Sequence, residues 1–337
     1  MIELLGLVLL SFALTAFFMV PFIDILFYLK RRYKRSIPKG YDQKATPIHN
    51  KLLVGKDVET PVGGGILLIA IVAALSLLYG HFYDLEKPFN LYIIVFTFIS
   101  FGLIGLFDDV RKILTAFSGK YQGLKGRYIF TAQTILALGI AASLYTQLGL
   151  NNIYISGIGN FVIGYWYIPL AAFIIVAFSN AYNISDGLDG LSTGLLIISL
   201  IALLVLSSTI LDLTLASFIG IWLGSLFAFL YFNVYPARIY LGDAGALSFG
   251  ATLAIVGLLT GKFLALTIIG GVYVIIVASS AAQIFAKKFF GRKILPVSPI
   301  HMFLRYIGWE EPKVVMRLWL IQGLFAIFGL WLALLSR

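Results

Sequence analysis

The chain alternates long apolar runs with short polar breaks, and the runs have the length of membrane spans. A helix rises about 1.5 Å per residue, so roughly 20 apolar residues cross a hydrocarbon core. Ten runs reach or approach that length: residues 4–29, 63–79, 91–107, 129–148, 165–180, 191–207, 215–232, 247–260, 263–285 and 315–335. The fifth and eighth are the shortest. The pattern predicts an all-α polytopic membrane protein with about ten transmembrane helices, a single integral domain over residues 1–337. No internal repeat is visible, which weighs against transporters assembled from two related halves. The two long polar segments, 30–61 and 287–317, are of a length that often carries function.

Composition agrees with the pattern. The hydrophobic fraction is 60% and the mean hydropathy +0.97, against about 45–50% apolar residues in soluble domains. Charge then orients the spans. With strict alternation, the loops after runs one, three, five, seven and nine hold 9, 5, 0, 1 and 7 Lys or Arg, the last count including Arg317. Only Lys87, Lys262 and Arg337 fall on the other side. The crowded side is predicted to be cytoplasmic, with both termini outside. This bias absorbs most of the formal charge of +10, so no nucleic-acid partner is needed. The remainder is free to attract phosphates or anionic membrane lipid. The run Lys30-Arg-Arg-Tyr-Lys-Arg35 reads as a stop-transfer patch. The first run lacks the basic start of a signal peptide and carries its positive charge after it. There is no cysteine, so disulfides and thiolate metal sites are excluded.

Candidate chemistry lies in the breaks on the cationic side. Five aspartates recur there: Asp108-Asp109 with Arg111 and Lys112 after the third run, Asn183-Ile-Ser-Asp186-Gly187-Leu-Asp189-Gly190 after the fifth, and Gly242-Asp243-Ala-Gly245 before the eighth. Carboxylates gathered at one face beside cations suggest a metal-assisted site for an anionic substrate. Adjacent helical residues diverge by about 100°, so one of Asp108 and Asp109 is expected to face a metal or phosphate while the other holds a Lys. The plain alternative is an interfacial ion pair with Arg111 or Lys112. Asp189 and Asp243 each precede an apolar run, where a carboxylate commonly caps a helix. Asp243 is the leading metal ligand, because Mg²⁺ takes one or two carboxylates and completes its shell with water and phosphate. His301 stands near Arg305, Lys313 and Arg317, which makes a phosphate contact credible beside a purely structural histidine. Glu310 and Glu311 read as surface residues or partners of those bases. Thr60-Pro61-Val-Gly63-Gly64-Gly65 reads as close helix packing, with Lys51 or Lys56 as the functional alternative.

Taken in order, these motifs resemble the polyprenyl-phosphate N-acetylhexosamine-1-phosphate transferase superfamily. Its muramoyl-pentapeptide branch fits best, on the string Gly308-Trp309-x-Glu311-Pro-Lys-Val-Val-x-Arg317-x-Trp319-x-Ile321. The resemblance implies Mg²⁺-dependent transfer of a sugar 1-phosphate from a UDP-sugar donor to a polyprenyl phosphate, releasing UMP. That is the first membrane step of peptidoglycan synthesis in a prokaryotic plasma membrane. It implies Asp243 on Mg²⁺ and Asp108 and Asp109 at the reacting phosphates. Asn183, Asp186, Asp189 and Asn233 would line the nucleotide and pyrophosphate region, with Lys112 and His301 nearby. Two departures stand out. The branch usually has three consecutive histidines where this chain has His301-Met302-Phe303, and Lys56 is one residue further from Thr60-Pro61 than usual. The enzyme alternative is an N-acetylglucosamine-1-phosphate transferase of another surface-glycan pathway; the alternative from another class is an ion-coupled transporter. Monomer or homodimer stays open.

Overall fold

The computed structural model describes residues 2–30, 60–83, 85, 87–117, 122–155 and 158–335. Its elements in chain order are α1 (Ile2–Lys30), α2 (Gly64–Phe82), α3 (Pro88–Phe117), α4 (Gly126–Leu148), the hairpin β1 (Asn152–Ile155) and β2 (Gly159–Val162), α5 (Tyr167–Ser185), α6 (Leu191–Thr209), α7 (Leu213–Asn233), α8 (Gly242–Leu259), α9 (Phe263–Ile269), α10 (Gly271–Phe290), α11 (Ile300–Tyr306) and α12 (Glu311–Leu334). A single 3-10 turn, Gly164–Trp166, leads into α5. Among the described residues, ten helices are long and apolar enough to cross a membrane. The protein is therefore an all-α polytopic membrane protein. Residues 31–35 of the basic run, and both Lys51 and Lys56, lie outside the described residues.

The eighth run, short in the sequence, becomes the centre. α8 is apolar on nearly every side and buried along its length between α3 and α5, as expected of an interior helix. Phe98 of α3 stacks on Phe249 of α8 with ring centroids 5.5 Å apart, and Trp222 of α7 meets both rings edge-on at 5.3 and 5.4 Å. Lipid gives helices no hydrophobic reason to associate, so small residues and buried hydrogen bonds do much of the fastening. Ser11 of α1 donates to the Ile221 carbonyl at 2.6 Å, and Ser11 and Thr15 share the Ser225 hydroxyl at 2.7 and 2.9 Å. Gly105 lets α3 lie directly against the backbone of Asp243 and Ala244; a Cβ there would overlap it. That contact sets the spacing between the Asp108-Asp109 helix and the tip of α8.

Two boundaries differ from the sequence reading. α3 runs to Phe117 rather than ending at 107, because polar residues end a hydropathy window without ending a helix, and 108–116 contains no breaker. Asp108, Asp109 and Lys112 thus lie within the helix rather than at its very end. The ninth run is broken at Gly270-Gly271 into α9 and α10. Gln322 of α12 occupies the break: its Oε1 accepts from the Val272 amide at 3.1 Å, and its Nε2 donates to the Ile269 carbonyl and the Ser199 hydroxyl at 2.5 and 2.7 Å. Irregular backbone persists at membrane depth where its polar groups are met in this way. The antiparallel hairpin, with Asn152 opposite Val162, was not foreseen.

Candidate active site

Lys112 is the hub of the first cluster. Its Nζ lies 2.7 Å from Asp108 Oδ2, 3.6 Å from Asp109 Oδ1 and 2.5 Å from Asp243 Oδ2. The Asp108 and Asp243 carboxyl groups also abut one another. Both members of the aspartate pair therefore lie beside one lysine, Asp108 closely and Asp109 at the longer distance. One helical turn brings Asp108 and Lys112 together at i, i+4. Asp109 reaches back by dividing its oxygens, the other accepting from the Ala244 amide at 3.1 Å. Asp108 also accepts from the Leu124 amide, so the segment before α4 lies over it.

The tip of α8 is held from behind. The Gly63 and Gly64 amides donate to the Tyr240 carbonyl, both at 3.0 Å, and Gly65 donates to Leu241 at 2.8 Å. Tyr240 returns a bond to the Pro61 carbonyl at 2.9 Å. The close-packing reading of Thr60–Gly65 is thus correct and also serves to aim Asp243. Gly242 has φ +84°, and a Cβ on it would stand 2.8 Å from Asp109 Oδ2, so the turn into α8 has no space for a side chain. Asp243 sits in the first turn of α8 and makes no capping bond; its carboxylate faces Lys112 instead.

The second cluster is the turn between α5 and α6. Asp186 accepts from the Ser192 hydroxyl at 2.5 Å. Asp189 does not cap α6, whose N-cap is Gly190; its Oδ2 accepts from the Ala237 amide at 3.0 Å. Asn233 is buried, taking the Thr193 hydroxyl on Oδ1 and giving Nδ2 to the Ile239 carbonyl, each at 3.0 Å. Asn183 contributes its carbonyl to the Asp186 amide at 3.3 Å. His301 is buried on α11, with Nε2 3.0 Å from where a Cβ on Gly187 would be. The structure thus gathers Asp186, Asp189, Asn233 and His301 around this turn and its neighbours. The Asp243 charge is felt at Asp186.

Glu311 was misread. It is 2% exposed, and its Oε1 accepts from the Asp189 amide at 2.9 Å. Pro312 marks a helix start, so the sequence offered only the ordinary reading of an acidic residue in a first turn. Tyr273 was not foreseen, and Trp319 stood in the motif string without a role; they donate to the Ser192 and Leu191 carbonyls at 2.7 and 3.3 Å and tie down the start of α6.

Burial pushes the Asp186 carboxyl up to about 6; the Ser192 hydroxyl opposes this, and the Asp243 and Asp189 charges add to it. A carboxyl raised in the folded state stabilises most below its unfolded value of 3.8, and that contribution is lost as pH climbs through about 6. Asp186→Asn is therefore expected to gain on wild type in thermal stability between pH 4.5 and pH 7, by about 3 °C. Parallel melting curves over that window check it; a constant difference between the two proteins would remove the argument.

The first cluster offers oxygen donors of the kind Mg²⁺ prefers, with three carboxylates against one ammonium. Among the described residues no three acidic or histidine side chains form a ready metal cage. Mg²⁺ does not require one, since it takes one or two carboxylates and fills its shell with water and phosphate oxygens. The donor set fits the ion.

The comparisons with known proteins supply the class of this helical membrane protein, a membrane-embedded transferase. Residues 91–261, slightly more than half of the chain, match glycosyl transferase family 4, and the chain belongs to that family. It is an enzyme, a phosphotransferase. Its relatives include proteins named phospho-N-acetylmuramoyl-pentapeptide-transferase. That of Thermodesulfovibrio yellowstonii is 34% identical over 292 residues, spanning 80% of this chain and 79% of the relative. That of Oceanobacillus iheyensis is 33% identical over 279 residues, 82% and 85% of the two chains. That of Rickettsia canadensis is 35% identical over 291 residues, 80% and 79%.

Proposed function

We propose that this enzyme transfers phospho-N-acetylmuramoyl-pentapeptide from its UDP derivative to a polyprenyl phosphate such as undecaprenyl phosphate, with release of UMP. The observation that carries the reading is the convergence of Asp108, Asp109 and Asp243 on Lys112, in a chain whose relatives bear that name. The charge bias of the loops supports a site on the cytoplasmic face of the plasma membrane, where a soluble nucleotide donor is available.

An oxygen of the lipid phosphate attacks the donor β-phosphorus in line, the bond to the α-phosphate oxygen breaks, and UMP departs with the electron pair. A phosphate monoester has a second pKa near about 6 and is largely ionised at pH 7, so a strong base is not required. Two anions must nevertheless meet. Lys112 supplies positive charge at their meeting point, and the lysine ammonium is a strong phosphate partner. Asp108, steadied by the Leu124 amide, orients the attacking phosphate and takes any residual proton. Asp109 holds the first turn of α8 through Ala244. Mg²⁺ would be held by Asp243 with help from Asp108 or Asp109, and would supply charge neutralisation at the transferring phosphate. Asn183, Asp186, Asp189, Asn233 and His301 bind the nucleotide side of the donor.

The departure at positions 302 and 303 bears on donor-sugar recognition, for which the alternative is UDP-N-acetylglucosamine. Where two further histidines are usual, Met302 is buried at 2% exposure and offers only a weak sulfur acceptor, and the Phe303 side chain offers none. Purified protein given each UDP-sugar with undecaprenyl phosphate is expected to release UMP at least about 100-fold faster from the muramoyl-pentapeptide donor, a pocket-level discrimination of about 2.7 kcal/mol. Equal or reversed rates would move the enzyme to the other pathway. UMP release unchanged on chelation of Mg²⁺ would remove the ion.

A further inference from the structure

We propose that Glu311 is a positioning residue for the nucleotide donor, acting through the Asp189 amide to fix the turn between α5 and α6. This rests on the reading of that turn as the donor side of the site. Glu311 stands in the motif string that carries the resemblance but beyond the matched family segment, which stops at residue 261, and its carboxylate reaches the Asp189 amide and Arg305.

A buried carboxylate in the first turn of a helix ordinarily serves that helix, by dipole or by capping. Glu311 does not. Its Oε1 is committed to the amide of Asp189, 122 positions away, at 2.9 Å. Its Oε2 faces Arg305 Nη2 at 3.7 Å, a long pairing with an arginine that also lies toward the Trp309 carbonyl. The short bond is to the turn, and the long one is to the cation.

The turn is gripped on two further sides. Asp189 passes its own carboxylate to the Ala237 amide, in the segment that leads to Asp243. The ring of His301, on the short helix before α12, lies against Gly187. One residue therefore stands between α12 and the segment holding Asp243, with its backbone set by the first and its side chain by the second. A charge-assisted bond to a backbone amide is short and directional. Moving it would tilt the peptide plane between Leu188 and Asp189, and with it the carboxylates of Asp186 and Asp189, while α3 and its aspartate pair stay in place.

Three substitutions separate an amide acceptor from a buried charge. Glu311→Gln keeps an oxygen in reach of the Asp189 amide and drops the charge. Glu311→Asp keeps the charge and withdraws the oxygen by one methylene. Glu311→Ala removes both. The expected KM for the UDP donor rises about tenfold or more in Asp and Ala and stays within about threefold in Gln, with kcat and the KM for lipid phosphate within about threefold throughout. These ratios correspond to about one decade, or 1.4 kcal/mol, of donor binding. The reverse order, Asp near wild type and Gln impaired, would mean that the Arg305 ion pair is what matters and would overturn the proposal. Equal loss toward both substrates, or no change in any variant, would overturn it as well. UMP affinity measured by equilibrium dialysis on the same proteins must follow the same order. Absence of UMP release by wild type from either donor would instead strike the transfer reaction, and the dialysis series still decides the role of Glu311. Should Glu311→Ala fail to fold, the Gln and Asp pair carries the comparison alone.

Discussion

Asp243→Asn is expected to lower kcat/KM about 1,000-fold, the scale at which a single electrostatic group at a transition state is felt, while the protein melts at the same or a slightly higher temperature. The two halves have one cause. Asp108, Asp109 and Asp243 crowd a single ammonium, so the resting site carries uncompensated negative charge, and neutralising one member relieves repulsion. On the proposed reading this unfavourable arrangement serves function, and substitutions there trade activity for stability. UMP release with saturating donor and lipid phosphate measures the first half and thermal unfolding in detergent the second. Activity within about tenfold of wild type would mean that Asp243 is a spectator at the tip of α8, and the proposed reaction centre would have to be sought elsewhere.

Lys112→Met is expected to act in the opposite sense on stability. Three carboxylates lose their shared cation, and breaking a buried pair from one side costs about 3–5 kcal/mol when fully enclosed. The lysine is 24% exposed, so a loss nearer about 2 kcal/mol is expected, with activity falling about 1,000-fold or more. The same oxygens then stand open to a divalent ion. At about 10 mM Mg²⁺ the variant should regain more of its melting temperature than wild type gains, because ligand stabilisation grows with the logarithm of occupancy and Lys112 no longer competes. This readout is independent of turnover. An Mg²⁺ increment no larger in the variant than in wild type would take the ion away from these carboxylates.

Much of this was legible in the sequence because membrane helices declare themselves by length and apolarity, and because the carboxylates recur at their ends. What the sequence hid was reach. Asp108 and Asp109 diverge on a helical wheel, yet both find Lys112, because Asp109 divides its two oxygens between the lysine and the Ala244 amide. Asp189 and Asp243 looked like helix caps by position. Their partners, Ala237 and Lys112, lie far along the chain, and single-sequence capping rules see only neighbours. Glu311 was hidden for the same reason. The break at Gly270-Gly271 had a signal in the adjacent glycines, but its stabilising partner, Gln322, sits 50 positions from Val272. α3 overran its expected end because hydropathy measures solvent preference and not backbone conformation. For Met302, burial shows what spacing could not: the side chain that replaces a polar one faces inward.

The bond between Glu311 and the Asp189 amide also bears on how the enzyme matures at the translocon. The reaction centre on α3 and α8 is complete in covalent terms well before α12 leaves the ribosome. A nascent chain halted ahead of Glu311 would carry Asp108, Lys112 and Asp243 and yet lack the acceptor for the Asp189 amide. On the proposed role of Glu311, such a chain would hold the donor about tenfold more weakly until the final span is threaded.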